Sequence, residues 1–296
     1  MSGGSMTEQR NPRSRELDLL ADDQLVHLLI SEDAVAVAAA EAASFALARA
    51  VSLGVAALEA GGRIHYFGAG ASGRLAVLDA TEITPTFGAM PGTVQAHFPG
   101  GAPALVDSTI DLEDAEQLGA EDAAGTSPVD LVVGVAASGG TAYVRGALGA
   151  AHRVGARTAL LCCVPNPTIP ADVIVAAETG PEALTGSTRL KAGTATKVLL
   201  NAFSTAVMVR SGRTYGNLMT GMSVTNDKLR RRAVALLTEA AGIAADRAEI
   251  ALAESGWKVD VALVSVRLGV DAASAANALA AAGSVRALVG AVPGAL

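Results

Sequence analysis

Apolar positions along the chain alternate between helical spacing and short continuous runs, and the switches mark the elements. Polar residues Thr7–Arg15 open the sequence, and a helical pattern follows from Glu16 to Ile30. Ser31-Glu32-Asp33 reads as a fresh helix start. The Ala/Val/Leu-rich segment after it runs to Glu59, where Gly61-Gly62 stops it. Arg63–Phe67 then reads as a buried strand. It leads into Gly68-Ala69-Gly70-Ala71-Ser72-Gly73-Arg74 and a helix from about Ser72 to Ile83. Further strands are expected at Thr93–Phe98, Asp130–Ala137, Arg157–Cys163 and Asp172–Ala177, that of Asp130–Ala137 ending in Ser138-Gly139-Gly140-Thr141 and a helix to about Arg153. From Arg189 the pattern is helical, broken near Gly212, Gly216 and Gly221. Short Ala-rich helices follow, punctuated by Gly242, Gly256, Gly269 and Gly283.

Strands alternating with helices predict an α/β domain: a five-stranded parallel sheet with helices on both faces. The expected division is an N-terminal extension over 1–15, a domain over 16–240 that includes the N-terminal helices, and a small helical appendage over 241–296. Ligands of such sheets gather beyond the carboxyl ends of the strands, where both Gly/Ser loops fall.

Composition sharpens this picture. Hydrophobic residues make up 51% but aromatics only 3%, so the core must be Ala, Val and Leu packed closely between helix and sheet. The net charge is −7, and no concentrated basic surface of the kind that binds a phosphate backbone is visible. The single basic run, Lys228 to Arg232, reads as a solvated helix face. Charges or glycines interrupt every apolar stretch before it could span a bilayer. Cys162 and Cys163 are adjacent and point to opposite sides of a strand, so they are expected as reduced thiols in a reducing compartment. Met1–Ser5 lacks the charged-then-apolar layout of a signal peptide, and Met6 is a second candidate start.

The loop Gly68–Gly73 formally matches the dinucleotide fingerprint G-x-G-x-x-G. The acidic residue expected at the end of the next strand is missing, however; that strand ends His97-Phe98-Pro99. A monophosphate site fits better. A helix N-terminus offers free N–H groups, and Gly70, Gly73 and Gly139 allow close backbone approach. Hydroxyls of Ser72, Ser138, Thr141, Ser187 and Thr188 supply neutral donors. The alternative for each hydroxyl is that it merely caps its own helix. No Walker lysine or HExxH motif occurs, and His27, His65, His97 and His152 are scattered.

Several long stretches resemble a known family. They are Gly68–Glu82 with Pro85-Thr86-Phe87-Gly88, Asn11-Pro12 with Leu17-Asp18, Ala136–Gly139, Thr188–Lys197, Tyr215–Met219 and Thr225–Leu229. Together they are similar to the signature of N-acetylmuramic acid 6-phosphate etherases, over most of the chain from about residue 8. The resemblance implies a three-layer sugar isomerase (SIS) fold. It implies cleavage of the D-lactyl ether of the phosphorylated sugar to N-acetylglucosamine 6-phosphate and D-lactate, without metal or nucleotide. It also implies a cytoplasmic homodimer with a pocket completed across the interface, while the charge and composition above lead to no expected nucleic-acid or membrane partner. One departure stands out: Ser138-Gly139-Gly140-Thr141-Ala142-Tyr143 replaces the family's usual Ser-Gly-Arg-Thr-Pro-Tyr.

An ether β to the open-chain aldehyde can leave by elimination if a base removes the C2 proton and an acid protonates the departing oxygen. Two carboxylates in different environments can fill those roles. By the resemblance, Glu82 stands at the acid position and Glu113 at the second catalytic carboxylate. On the residues alone, Glu82 is equally an exposed helix-end carboxylate, and Glu113 reads as a solvated acidic helix start. Arg74 lies at the phosphate loop. Lys191, with Arg189, follows the third hydroxyl loop and is expected to balance a phosphate or carboxylate, or else to be surface charge. The competing expectations are a phosphosugar isomerase, which needs only one base, and a non-catalytic sugar-phosphate sensor resembling glucokinase regulatory protein.

Overall fold

The computed structural model describes residues 6–291, so Met1–Ser5 lies outside the described residues. Three short 3-10 turns precede α1 (Asp22–Ala42) and α2 (Ser44–Glu59). The helix start expected at Ser31 is absent, because its polar groups find other partners. Ser31 Oγ donates back to Leu28 O, Glu32 accepts from Lys191 and Asn11, and Asp33 accepts from Thr194. The helix therefore runs through and bends only at Ala43.

The strands β1 (Ile64–Gly68), β2 (Val94–His97), β3 (Leu131–Val135), β4 (Arg157–Cys162) and β5 (Val173–Ala176) form one parallel sheet in the order β2-β1-β3-β4-β5. Strand order reverses between β1 and β3, where doubly wound sheets bind ligands. Between the strands lie α3 (Gly70–Phe87), α4 (Gly101–Val106), α5 (Glu116–Asp122) and α6 (Ala142–Arg153), and after them α7 (Lys191–Arg210). Neighbouring β1 side chains face opposite layers. Tyr66 meets Phe203 of α7 with ring centroids 6.2 Å apart, and Phe67 meets Tyr143 of α6, also at 6.2 Å. Helices α5 and α6 touch through glycines: a Cβ on Gly146 would lie 1.9 Å from Glu116 O.

Helix α3 outruns its expected end at Ile83 by a turn, despite Pro85. Ser223 donates from its backbone N–H to Pro85 O and from its hydroxyl to Thr84 O, satisfying carbonyls a fraying end would expose.

The chain divides into two compact units. One contains residues up to Ala80 and Gly92–Ser204; the other contains Thr81–Pro91 and everything from Thr205. The second unit holds α8 (Asp227–Ala241), α9 (Ala245–Glu254), α10 (Val259–Leu268), α11 (Ala272–Ala282) and α12 (Val285–Val289). Its core joins Ala233, Leu237 and Ala240 of α8 to Val259, Leu263 and Ala275. The boundary expected at 240/241 would cut α8 from the helices that bury its apolar face. The basic run lies on the outer face of α8, with Lys228, Arg230, Arg231 and Arg232 exposed and Asn226 Oδ1 capping the helix by accepting from Leu229 N at 3.0 Å. Among the described residues, no single helix is long and apolar enough to cross a membrane.

Candidate functional site

Two loops leave the sheet at the β1/β3 reversal, where Gly68 and Val135 are register partners. The first turns from β1 into α3. Glycine is required there: Gly70 has φ +54°, and a Cβ on Gly73 would lie 2.2 Å from Gly68 O and 2.7 Å from the Phe98 ring. The turn leaves the opening N–H groups of α3, with Ser72 among them and half-buried, at the carboxyl edge of the sheet. Arg74 turns away from that role. Its Nε donates to Leu105 O at 2.8 Å and its Nη2 to Ala104 O at 3.1 Å, while the guanidinium sits 5.3 Å from the Phe98 ring centroid. It closes the C-terminal end of α4, which corrects its expected place as a substrate contact.

The second loop turns from β3 into α6. Gly139 has φ +65° and a Cβ there would strike Pro167 at 2.4 Å; its carbonyl accepts from Thr168 N and Ile169 N. Ser138 is exposed, with its Oγ accepting from Gly140 N at 3.3 Å, and Thr141 is the N-cap residue of α6. A Cβ on Gly140 would meet Thr168 Oγ1 at 3.3 Å and Ser138 Oγ at 4.0 Å.

Glu113 reaches this second loop through its backbone. Tyr143 N, at the start of α6, donates to Glu113 O at 2.9 Å, and Asp111 Oδ1 holds Glu113 N at 3.2 Å. The carboxyl itself is exposed, and its pKa is raised by partial burial and by the charges of Asp111 and Asp114.

The third hydroxyl segment, with Ser187 and Thr188 half-buried, precedes α7. That helix begins over the carboxyl end of β4, where Cys163 Sγ contacts Ala192 O at 3.6 Å. All three segments thus open on the same edge of the sheet. The N-terminus of α7, however, already holds a carboxylate: Glu182, fully buried, accepts from Lys191 N at 3.0 Å and Ala192 N at 2.9 Å. Lys191 is 3% exposed, and its Nζ lies 2.6 Å from Glu32 Oε2. Glu32 also meets Arg13 at 2.8 Å and Asn11 at 2.8 Å. Burial alone would raise the Glu32 carboxyl, yet these partners hold it below its ordinary range. Lys191 is therefore committed to a buried ion pair, neither surface charge nor a cation aimed at a ligand.

Glu82 lies about three turns into α3, with Thr81 and Pro85 beside it. Its side chain is exposed, not enclosed in the apolar surround expected for it, because the neighbouring Leu78 is itself 53% exposed.

Sequence reading missed two clusters. His65 and His97, 32 positions apart, meet through Nδ1 and Nε2 at 3.0 Å, with Asp130 3.7 Å beyond His65 and Phe67 stacked on His97. Burial, then the neighbouring His65, lowers the His97 pKa to about 4. Asp79 is buried and accepts from Tyr66 Oη, Asn201 Nδ2 and Ser204 Oγ. Its only sequence signal was a carboxylate on an otherwise apolar helix face.

A parallel sheet of order 2-1-3-4-5 with glycine–hydroxyl turns at its reversal is a doubly wound α/β arrangement, and the match that follows places it among SIS-type domains. Residues 46–152 match the family model described as the glucokinase regulatory protein N-terminal SIS domain. A protein from Thermobifida fusca named N-acetylmuramic acid 6-phosphate etherase is 49% identical over 260 residues, 87% of this chain and 86% of that one. Proteins of the same name from Gloeobacter violaceus and Salmonella typhi are 48% and 44% identical, over 95% and 94% of this chain and 93% and 95% of theirs. The chain belongs to the N-acetylmuramic acid 6-phosphate etherase family, and it is a carbon–oxygen lyase.

Proposed function

We propose that the chain cleaves the D-lactyl ether of N-acetylmuramic acid 6-phosphate by elimination and hydration, with Glu113 and Glu82 as its two proton-transfer groups. The first and second loops bind the phosphate through the N–H groups at the start of α3 and the hydroxyls of Ser72, Ser138 and Thr141, with Ser187 and Thr188 as further donors. Gly70, Gly73 and Gly139 let the backbone approach. Arg74 and Lys191 act at one remove, by fixing α4 and the start of α7.

The carrying observation is the bond from Tyr143 N to Glu113 O, which ties the acidic turn to the second loop. A sugar held there by its phosphate brings its carbon chain under a carboxylate whose pKa is raised, as a group that must both take and return a proton requires. Glu113 removes the C2 proton of the open-chain sugar. The electron pair forms the C2–C3 double bond, the C3–O bond breaks, and Glu82 protonates the departing lactate oxygen. Water then adds at C3 and a proton returns to C2. Each carboxylate contributes on the order of 10²–10⁴ in rate. The setting is a cytoplasmic homodimer that recycles cell-wall sugar.

Incubation with the substrate in ¹⁸O-labelled water tests this reading. Release of D-lactate with label at C3 of the amino sugar is the expected result. Ketose formation without lactate would assign the chain to the phosphosugar isomerases instead.

A further inference from the structure

The unit formed by Thr81–Pro91 and the residues from Thr205 contains a cleft of about 610 Å³, within the range that holds small ligands. Its wall carries an unusual turn. Trp257 has φ +63°, in the left-handed region that bulky residues avoid, and follows Gly256 at φ +61°. The turn is pinned by Trp257 N donating to Leu252 O at 2.7 Å and Asp260 N donating to Thr220 O at 3.1 Å. Strain of this kind persists where the surroundings over-determine it, and it concentrates at binding sites.

Three charged groups line the same cleft: Arg213, Lys258 and Asp260. Among the described residues, neither Arg213 nor Lys258 forms an ion pair. The Asp260 carboxylate accepts from the backbone N–H of Val261 at 2.8 Å, and among the described residues no side chain donates to it. Burial raises the Asp260 pKa against the pull of its own backbone bonds, Lys258 and Arg213, so the group sits where solvent reaches it poorly. Two exposed cations, each also attracting the one carboxylate, leave the cleft net positive. The carboxylate oxygens still accept hydroxyl donors, and apolar surface comes from Leu279 and from the half-buried Trp257, whose ring also carries the Arg230 guanidinium 4.6 Å from its centroid. An anionic group for the cations, hydroxyls for the carboxylate and a C–H face for the indole together describe one kind of ligand.

We propose that this cleft binds a small polyhydroxylated carboxylate, a sugar acid. The carboxylate bonds Arg213 and Lys258, ring hydroxyls donate to Asp260, and the apolar ring face lies along Trp257 and Leu279.

Trp257 is the chain's single tryptophan, so its fluorescence reports on this cleft alone. The full chain is titrated with D-glucuronate, D-glucose and inorganic phosphate. D-glucuronate is expected to give a saturable change, with D-glucose at least tenfold weaker for lack of the anion. Arg213→Gln and Lys258→Gln should each weaken binding about tenfold, as loss of a charge-assisted hydrogen bond does. Ala280→Phe, which fills the cleft, should abolish the response while far-ultraviolet circular dichroism stays at the parent level. A parent protein with no saturable change, or a response that survives both Arg213→Gln and Ala280→Phe, would overturn the proposal. An equal response to inorganic phosphate would overturn it too, leaving a bare anion site. D-glucuronate has neither phosphate nor lactyl ether, so its binding is scored separately from lactate release.

Discussion

The backbone N–H of Tyr143 donates to the carbonyl oxygen of Glu113 at 2.9 Å, so main chain, not the Glu113 carboxylate, joins the turn that carries Glu113 to the first turn of α6. The carboxylate is free of that anchoring. Glu113→Gln should therefore fold as the parent does, while D-lactate release falls by about 10²–10⁴. An unchanged melting curve with lost turnover is the expected pair of results.

The same carboxyl sets an acid limb. Partial burial, then Asp111 and Asp114, raise its pKa, so it gains its proton at a higher pH than an ordinary glutamate. As the base, it must be ionised, and activity should fall as pH drops through that raised value. Neutralising both neighbours, Asp111→Asn with Asp114→Asn, should move the acid limb of kcat/KM to lower pH. A limb that stays in place would detach it from Glu113.

Gly140 stands where the resemblance leads to an expected arginine, and only side-chain hydroxyls face it: an added Cβ meets Thr168 Oγ1 at 3.3 Å and Ser138 Oγ at 4.0 Å. Gly140→Arg should leave the melting temperature nearly unchanged and lower KM for the phosphorylated substrate, since it adds a cation at the second loop. Gly73→Ala is the contrast. Its Cβ would lie 2.2 Å from Gly68 O, within main chain that cannot yield, and a loss of about 2 kcal/mol or more is expected in denaturant unfolding.

Lys191 and Glu32 form a buried pair at 2.6 Å, with side chains 4% and 3% exposed. Lys191→Met should cost about 3–5 kcal/mol, because a buried carboxylate loses its main partner. Adding Glu32→Gln should recover much of that loss. A cation that served only the substrate would instead raise KM and leave stability alone.

The His65–His97 pair predicts acid sensitivity. Burial lowers the folded pKa of His97 to about 4, below the ordinary value of 6.5. Between those values the unfolded chain binds more protons, so this contribution to stability is complete above about pH 6.5 and is lost as pH falls toward 4. His65 is lowered in the same direction by burial, against the opposing charge of Asp130. His97→Gln should flatten the melting temperature's pH dependence across that window.

The sequence by itself determined the sheet, its parallel sense, the glycine turns and the family. Those features are local or periodic: a buried strand is a short apolar run, and a turn that needs φ +54° at Gly70 or backbone contact at Gly73 admits almost nothing but glycine. The tertiary structure alone decided where charges and polar ends are satisfied. Glu32 could read as the start of a helix because nothing local reveals that Lys191, 159 positions away, will bury against it. Arg74 could read as a phosphate ligand for the same reason, until the α4 carbonyls took its donors. The helix end at Phe87 depended on Ser223, 139 residues beyond Thr84. Backbone preference is set by near neighbours, whereas a buried charge must find its partner wherever the fold brings one.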